Sequence, residues 1–334
     1  MNAETSCKAA DFCVTSAMRP PVSSESRLIR MIQRTVQARA KVRVGIGDDA
    51  CVLTDGTVLT TDAYAEGVHF ELSLLSWYEV GFRCACAALS DIVAMGAEPD
   101  VLIVALTLPK NTALSDVRRL YQGIDTVCAR LGCEVAGGDT IAGDRLLLAL
   151  TALGKTDRPR LRSDAQTGEA LYVTGFLGSA ETGRLALKYR LNSSTYAQSI
   201  ERHKRPFPRF HVMRALSRRI RALIDTSDGI ATDARHLAES SGRRIVLEPR
   251  LFPILPETIK LCKKLRLDPT RFALCSGEDY ELLFTARGRI PTAAADVHVT
   301  RIGRVESGRG LYLEQDGKLA PVRFHGYDHL TVQK

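Results

Sequence analysis

The sequence predicts an α/β protein of the α+β type with two domains. Strand and helix patterns alternate through the first half of the chain, as in a mixed α/β domain. The 334 residues are enough for two hydrophobic cores. A stretch from Arg158 to Gly168 has no regular hydrophobic period and is typical of a linker. We therefore expect a disordered extension over 1–23, an N-terminal domain over 24–157 and a C-terminal domain over 158–334.

Composition excludes several classes of protein. A hydrophobic content of 45% and a charged content of 25% are ordinary for a water-soluble globular chain. The longest apolar run, Val101 to Leu108, is too short to span a bilayer, and the N-terminus carries Glu4 and Asp11 where a secretory signal is apolar. The nine cysteines form no C-x-x-C pair, which favours reduced thiols in the cytoplasm over disulfides or structural zinc.

The net charge of +8 raises the question of nucleic-acid binding. The excess is concentrated between Arg202 and Arg221, without regular aromatic interleaving and without a nucleic-acid signature. We expect no nucleic-acid partner. This segment is interpreted either as a basic surface for phosphorylated small molecules or as a solvated helix face.

The elements follow from hydrophobic periodicity, caps and turns. Ser76 and Glu79 form a capping box, Ser115 is expected to cap the next long helix, and Asp55-Gly56 is a hairpin turn. The predicted N-terminal elements are a helix over 25–38, strands over 50–53 and 57–61, a helix over 77–95, a strand over 101–108, a helix over 115–131, and strands over 134–140 and 146–153. The main predicted C-terminal elements are a strand over 171–174, helices over 180–189, 209–222 and 230–241, and a strand over 282–286.

Carboxylates flank the predicted hairpin. Asp48 and Asp49 precede its first strand and Asp62 follows its second, so the hairpin brings the three together. Crowded carboxylates repel one another unless a hard cation such as Mg²⁺ lies between them. The alternative is that each Asp is a solvated turn former.

Asp91 interrupts a small, apolar helix in the segment LSDIVAMGAEPD. A buried carboxylate is costly without a partner, and no Lys or Arg stands at helical spacing between Ala85 and Ala97. A metal ion or a distant cation is therefore the expected partner of Asp91.

Glycines and acidic residues mark three further segments. Gly137 and Gly138 are expected to end a strand just before Asp139, where bare backbone can approach a phosphate. Asp225 and Asp228 are expected on one side of a helix N-terminus, either as ordinary caps or as ligands of a metal–phosphate complex. The acidic run from Glu278 to Glu281 opens a buried strand, although a solvated turn remains an alternative.

Taken in register, these segments resemble the thiamine-monophosphate kinase family of the aminoimidazole-ribonucleotide-synthetase-like superfamily. The matching motifs, spread from about Ser24 to the C-terminus, are GIGDDA at 45, TTDAYAEGVHF at 60, LSDIVAMGAEPD at 89, GGDT at 137, Arg162-Ser163, YVTGFLG at 172, RHKRPFPR at 202, DTSDGIATD at 225, SGEDYELLF at 276 and GYDH at 326. The chain departs from the family pattern at Ala63-Tyr64-Ala65, at Ser276 and at Phe324, mostly on the substrate side.

The resemblance implies ATP-dependent phosphorylation of thiamine monophosphate to thiamine diphosphate, with several Mg²⁺ ions and a homodimer that pairs N-terminal sheets. Its implied metal ligands are Asp49, Thr60, Thr61, Asp62, Asp91, Asp139, Asp225 and Asp228, of which Asp91, Asp139 and Asp228 are expected to be catalytic. Its implied nucleotide contacts are Tyr121, Gly138, Arg162 and Ser227, and its implied substrate contacts are His69, Glu278 and Tyr327.

Two alternatives stay open at this point. One is a sister ATP-dependent enzyme, such as aminoimidazole ribonucleotide synthetase, selenophosphate synthetase or a carbamoyl-dehydrating maturation factor. Against selenophosphate synthetase, Cys7 and Cys13 lie in a leader that lacks a glycine-rich loop. The other is a non-catalytic thiamine-phosphate or nucleotide-binding protein, although every matched carboxylate is present.

Overall fold

The computed structural model describes residues 24–36, 40–324 and 326–327. Helix α1 (Ser24–Thr35) belongs to one unit, and residues 38–327 form the other. The predicted first helix is therefore confirmed, although it ends at Thr35, three residues earlier than expected. The extension predicted over 1–23 lies outside the described residues, and the domain boundary at 157/158 stays a prediction. Among the described residues, no helix combines the length and apolarity needed to cross a bilayer.

A six-stranded sheet forms the first half of the larger unit, in the order β1-β2-β3-β6-β4-β5. Its strands are β1 (Val42–Val44), β2 (Cys51–Leu53), β3 (Thr57–Ala65), β4 (Glu98–Pro109), β5 (Glu134–Gly143) and β6 (Leu147–Lys155). The β2–β3 hairpin turns at Asp55-Gly56 as predicted, and Gly56 has φ +83°. The β4–β5 pair is parallel, and a helix connects its two strands.

Two helices cover one face of this sheet: α2 (Trp77–Ala94) and α3 (Leu114–Leu131). The capping box of Ser76 and Glu79 is present, whereas α3 begins one residue before Ser115, after Ala113, which makes no side-chain cap. Glycines let the helix backbones touch, because a Cβ at Gly81 would lie 2.0 Å from the carbonyl oxygen of Leu120.

An eight-stranded sheet forms the second half, in the order β14-β13-β9-β12-β7-β10-β8, with β11 beside β12. Its strands are β7 (Ala170–Thr174), β8 (Ile220–Asp225), β9 (Arg244–Leu247), β10 (Leu282–Ala286), β11 (Ala293–Ala294), β12 (Val297–Glu306), β13 (Gly310–Gln315) and β14 (Lys318–Pro321). Its helices are α4 (Ser179–Lys188), α5 (Ala197–Lys204), α6 (Phe210–Leu216), α7 (Ile230–Ser241), α8 (Pro256–Leu265) and α9 (Pro269–Cys275). Short 3-10 turns span Arg162–Asp164 and Pro249–Leu251.

Helix α2 lies between the two sheets, where it contacts β3, β4 and β6 on one side and β8, α5 and α6 on the other. It is buried almost all round, as its small and apolar sequence requires. One hydrophobic core therefore runs from Val58 and Leu150 of the first sheet, through Leu89, to Leu223 and Phe284 of the second. The polar residues of α2 consequently face both sheets.

The helix predicted over 209–222 is wrong in its second half. Helix α6 ends at Leu216, and the chain enters β8 at Ile220. Leu223 and Ile224 pair with Phe284 and Leu283 of β10, which buries them completely in the second sheet. Sheet pairing with a distant segment outweighed the local helical pattern.

Candidate functional site

Three aspartates from distant segments converge at the end of β8. Asp49 stands just before β2, Asp91 lies in α2, and Asp225 ends β8. Each offers a carboxylate oxygen, and these oxygens all lie within 4.8 Å of one another. Asp49 and Asp225 are buried, and Asp91 is partly buried. We call these three residues the acidic cluster.

Hydroxyl groups orient two of the carboxylates. Thr60 of β3 donates its Oγ1 hydrogen to Asp91 Oδ2 at 2.9 Å, and Ser90 of α2 donates to Asp225 Oδ2 at 2.6 Å. Ser90 precedes Asp91 in the helix, so α2 supplies one cluster carboxylate and fixes another. Thr60, a predicted metal ligand, is thus placed directly beside the cluster.

Arg162 is the cation that lies closest to the cluster carboxylates in the contacts described. Its Nη2 donates to Asp49 Oδ1 at 2.6 Å, and its Nε is 3.8 Å from Asp48 Oδ1. The other oxygen, Asp49 Oδ2, is buried and has no hydrogen-bond partner among the described residues. An orphaned carboxylate oxygen beside two further carboxylates fits a hard divalent cation such as Mg²⁺.

The pKa shifts of the cluster carboxylates also favour a bound cation. Burial, followed by the charge of Asp49, raises the pKa of Asp225 to about 8. Burial also raises the pKa of Asp91 well above its ordinary value, and Asp62 and Asp225 raise it further. One arginine therefore does not neutralise the site, and a cation would favour the ionised carboxylates.

Asp62 lies inside β3, not after it, because β3 continues to Ala65. The antiparallel ladder with β6 runs unbroken from Thr57 to Ala65, and this extends the strand. The hydroxyl of Tyr64 donates to Asp62 Oδ2 at 2.6 Å. Burial raises the pKa of Asp62, and its charge acts on Asp91, so Asp62 lies at the edge of the cluster.

Thr61 and Asp139 lie on the other face of the first sheet. Thr61 is level with Thr151 and Ile103, and Asp139 is level with Ala105, Ala149 and Ala63. Side chains alternate along a strand, so both residues point away from the face of Thr60 and Asp62. The described chain therefore does not bring Thr61 or Asp139 into the cluster.

Gly137 and Gly138 lie within β5 and do not end it, because β5 pairs with β4 as far as Gly143. A Cβ at Gly138 would lie 1.9 Å from the carbonyl oxygen of Val104. The close approach of β4 and β5 at this point by itself requires a glycine at position 138. Tyr121, another predicted nucleotide contact, is a partly buried residue of α3, and burial raises the pKa of its hydroxyl.

Four more predicted residues lie in the loop after β8 or make backbone contacts with it. Asp225 ends the strand and Asp228 precedes α7, so the two do not share a helical turn as predicted. The carbonyl of Ser227 accepts from the backbone N–H of Glu278 at 2.8 Å. The carbonyl of Asp228 accepts from the backbone N–H of Tyr327 at 3.1 Å. Backbone contacts thus place Ser227, Asp228, Glu278 and Tyr327 beside the Asp225 end of β8.

Sequence reasoning missed Arg83, a buried residue of α2. Its Nη2 is 2.5 Å from Glu278 Oε2, and its guanidinium lies 5.9 Å from the ring centre of Tyr280. Glu278 adopts φ +64°, a left-handed conformation that L-residues rarely adopt without cause. The sequence did carry one indication of this role: Arg83 is an arginine among the small, apolar residues of the helix that also contains Asp91.

The basic segment between Arg202 and Arg221 is divided: Arg205, Arg214, Arg218 and Arg219 are exposed, whereas Arg202 and Arg209 turn into the protein. Arg202 and Arg209 both bind the fully buried carboxylate of Glu281, and Arg202 Nη2 lies 2.6 Å from Glu281 Oε1. Thr174 donates to Glu281 Oε2 at 2.6 Å. We call Arg202, Arg209 and Glu281 the arginine–glutamate network. The acidic run is therefore a buried anchor and not a solvated turn.

His69 lies near Asp62. Its Nδ1 accepts from the backbone N–H of Ala65 at 3.1 Å, and its ring packs edge-on against Tyr64 with ring centres 5.5 Å apart. The charge of Asp62 interacts with His69 as well. Of the predicted substrate residues, His69 therefore lies on the β3 side of the site and Glu278 on the β10 side.

The chain matches the family model described as AIR synthase related protein, N-terminal domain, over residues 47–156. That match and the two-sheet architecture define an α/β protein of the AIR synthase-like class. Curated thiamine-monophosphate kinases are similar across most of the chain. The one from Aquifex aeolicus is 33% identical over 306 residues, covering 90% of this chain and 97% of the relative. The one from Bacillus subtilis is 30% identical, with 91% and 99% coverage.

A solved structure described as AaThiL complexed with AMPPCP and TMP has a TM-score of 0.83 and 31% identity. The similarity covers 95% of this chain and 100% of that chain. At this level of identity and coverage, the chain belongs to the thiamine-monophosphate kinase family.

Proposed function

We propose that this protein is a kinase that transfers the γ-phosphoryl group of ATP directly to thiamine monophosphate, giving thiamine diphosphate. This reaction is the last step of thiamine diphosphate biosynthesis. The observation that carries the proposal is the convergence of Asp49, Asp91 and Asp225 within 4.8 Å in a member of this family. The related AaThiL structure, described as a complex with AMPPCP and TMP, supports the two substrates.

The acidic cluster supports a site for Mg²⁺. Asp49, Asp91 and Asp225 would hold the ion or ions, with Thr60 and Asp62 at the edge and Asp228 on the neighbouring loop. Mg²⁺ bound there would supply positive charge that neutralises the phosphate charge during transfer. For Thr61 and Asp139, on the other face of the sheet, a metal role rests on the resemblance alone.

Arg162 and the β8–α7 loop support nucleotide binding. The guanidinium of Arg162 is held against Asp49, where it adds positive charge near the phosphates. We propose Ser227, Gly138 and Tyr121 as further nucleotide contacts. The cationic thiazolium of the substrate is a sensible neighbour for the carboxylate of Glu278 and the ring of Tyr327, with His69 on the opposite side.

The reaction requires no general base. A phosphate monoester has a second pKa of about 6, so its oxygen is mostly deprotonated at neutral pH. This oxygen attacks the γ-phosphorus of ATP, the bond to the β–γ bridging oxygen breaks, and ADP leaves. The protein's task is to position two polyanions against each other and to balance their charge. A buried cluster of oriented carboxylates beside Arg162 suits that task.

We further propose a homodimer formed through the open face of the first sheet. Ile103 and Ile141 are 40% and 58% exposed on that face, beside exposed Ala63 and Ala105. An exposed apolar sheet face of this kind is typical of an interaction surface. A cytoplasmic location is proposed as well, and the seven free cysteines among the described residues support it.

The test is ADP release by the purified protein with ATP, Mg²⁺ and thiamine monophosphate. Thiamine and a reaction without acceptor serve as parallel controls. We expect turnover only with the monophosphate, and a loss of about 10³-fold or more in Asp49→Asn and Asp91→Asn, since each removes a charge needed in the transition state. ATP binding without any turnover would contradict the kinase and favour a binding protein.

A further inference from the structure

A second polar site lies away from the acidic cluster. It is a cavity of about 310 Å³ between the chain that follows β6, the start of β8 and the end of α7. Arg221, at the start of β8, lines it, whereas Asp225 of the acidic cluster ends the same strand. At 3.3 Å per residue the two positions are roughly 13 Å apart. We call this space the arginine cavity.

The cavity carries a strong positive charge. Its lining includes four arginines against one carboxylate, Asp164, which is a formal charge of +3. The four arginines are Arg158, Arg160, Arg221 and Arg243. Guanidinium groups gathered around one space repel one another, and a polyanion of phosphate type relieves that repulsion through paired hydrogen bonds.

The protein itself neutralises little of this charge. Arg160 is 8% exposed and donates to a neutral acceptor, the carbonyl of Ser217. Burial, and then the charge of Arg158, lower the pKa of Arg160. Arg221 has one carboxylate partner, Glu169, at 3.5 Å. Among the described residues, no ion pair is formed by Arg158 or Arg243, and both are exposed at the mouth.

The wall of the cavity is held in place before any ligand arrives. Ser241 Oγ donates to the carbonyl of Arg162 at 2.8 Å and accepts from the N–H of Ala165 at 3.2 Å. The backbone N–H of Arg160 donates to the carbonyl of Met95 at 2.9 Å. Preorganised walls reduce the entropic cost of binding a small ligand.

We propose that the arginine cavity binds small molecules that carry a diphosphate group, at a site separate from the acidic cluster. Its volume is in the range of small-molecule sites and exceeds what one phosphate fills. The formal charge of its lining is +3, or +2 when the Glu169 partner of Arg221 is counted, and is opposite in sign and close in size to that of a diphosphate. The inference does not rest on the proposed kinase activity, because the cavity shares no side chain with the proposed catalytic groups. A nucleoside diphosphate, thiamine diphosphate and free pyrophosphate share the chemistry that it recognises.

The test is calorimetric titration of the full chain with inorganic pyrophosphate in EDTA, where binding through Mg²⁺ at the acidic cluster is suppressed. We expect saturable binding that weakens as salt increases. The double variant Arg158→Ala/Arg243→Ala removes the two unpaired arginines, and its dissociation constant should rise at least about tenfold. Arg309→Ala, an exposed arginine outside the cavity, is the matched control and should bind as the wild type does.

Asp49→Asn separates the two sites. It should retain pyrophosphate binding if the arginine cavity is the site. Loss of binding in Asp49→Asn with full binding in the arginine double variant would overturn the proposal, as would no binding up to millimolar pyrophosphate. Gln166→Glu places a negative charge in the lining and should weaken binding too, which keeps the test decisive if the double variant folds poorly. Competition by ADP and by thiamine diphosphate then distinguishes the sources of the diphosphate.

Discussion

The acidic cluster and the arginine–glutamate network are both buried polar sites beside α2, yet their electrostatics are opposite. In the network, Arg209 and Arg202 overcome burial and hold the pKa of Glu281 below its usual range. In the cluster, burial and neighbouring carboxylates raise the pKa of Asp225 and Asp91. Every oxygen of Glu281 has a partner, whereas Asp49 Oδ2 has none among the described residues. Removing one partner of a satisfied buried ion pair destabilises the fold, whereas an unsatisfied buried charge indicates a candidate binding site.

The largest expected effect tests the satisfied side of this comparison. Glu281→Gln leaves Arg202 and Arg209 buried without a counter-charge, and we expect a loss of about 3–5 kcal/mol in the free energy of unfolding. Glu306→Gln is the control, because its partner Arg304 is 31% exposed, and it should cost less than about 1 kcal/mol. Urea unfolding measures both variants. Equal losses would refute the distinction between the two kinds of pair.

Asp225→Asn tests the acidic cluster, where buried charge lacks a full set of partners. Without metal, it removes a charge that burial and Asp49 disfavour, so we expect an increase of about 1–2 kcal/mol in the free energy of unfolding at pH 8. The amide oxygen can still accept from Ser90. Kinase turnover should fall at least about a hundredfold in the same variant. A variant less stable than the wild type in EDTA would mean that Asp225 has a structural role.

The raised pKa of Asp225 also determines how the stability of the metal-free protein depends on pH. In the unfolded chain Asp225 titrates near 3.9, whereas in the folded protein its pKa is about 8. The folded state binds more protons between these two pKa values. The contribution of Asp225 to the free energy of unfolding is therefore complete below about pH 4 and is lost as pH rises toward 8. Thermal unfolding in EDTA should show the wild type losing more stability than Asp225→Asn between pH 5.5 and pH 8.5 by about 1 kcal/mol. Saturating Mg²⁺ should reduce that difference, and parallel slopes would contradict the assignment.

Tyr64 gives the smallest expected effect and tests where the cluster ends. Its hydroxyl donates to Asp62 at 2.6 Å, and the family pattern differs at this position. Tyr64→Phe leaves Asp62 less well oriented, so binding of Mn²⁺, followed by electron paramagnetic resonance, should weaken by about two- to fivefold, as expected for one hydrogen bond. Tyr189→Phe, at a 47% exposed position, is the control. Unchanged Mn²⁺ affinity would place Asp62 outside the metal site.

The elements could largely be predicted because their signals are local. The capping box at Ser76, the turn at Asp55-Gly56 and the glycine that ends α7 at Gly242 each act within a few residues. The errors occurred where a distant strand decided the outcome. β3 and β5 continue past their predicted ends because they form backbone hydrogen bonds with β6 and β4. β8 replaces the end of a predicted helix because it pairs with β10.

The sequence by itself determined the family, most elements of the first half of the chain and which carboxylates are available. Only the tertiary structure decided which of them meet: Asp49, Asp91 and Asp225 converge, while Asp139 lies level with Ala63 on the open face of the sheet. It also decided that Arg202 and Arg209 pair with Glu281 inside the protein. The physical reason is that propensity and capping act over one turn of chain. Convergence depends instead on strand register and on the packing of α2 between two sheets, which join residues more than a hundred positions apart.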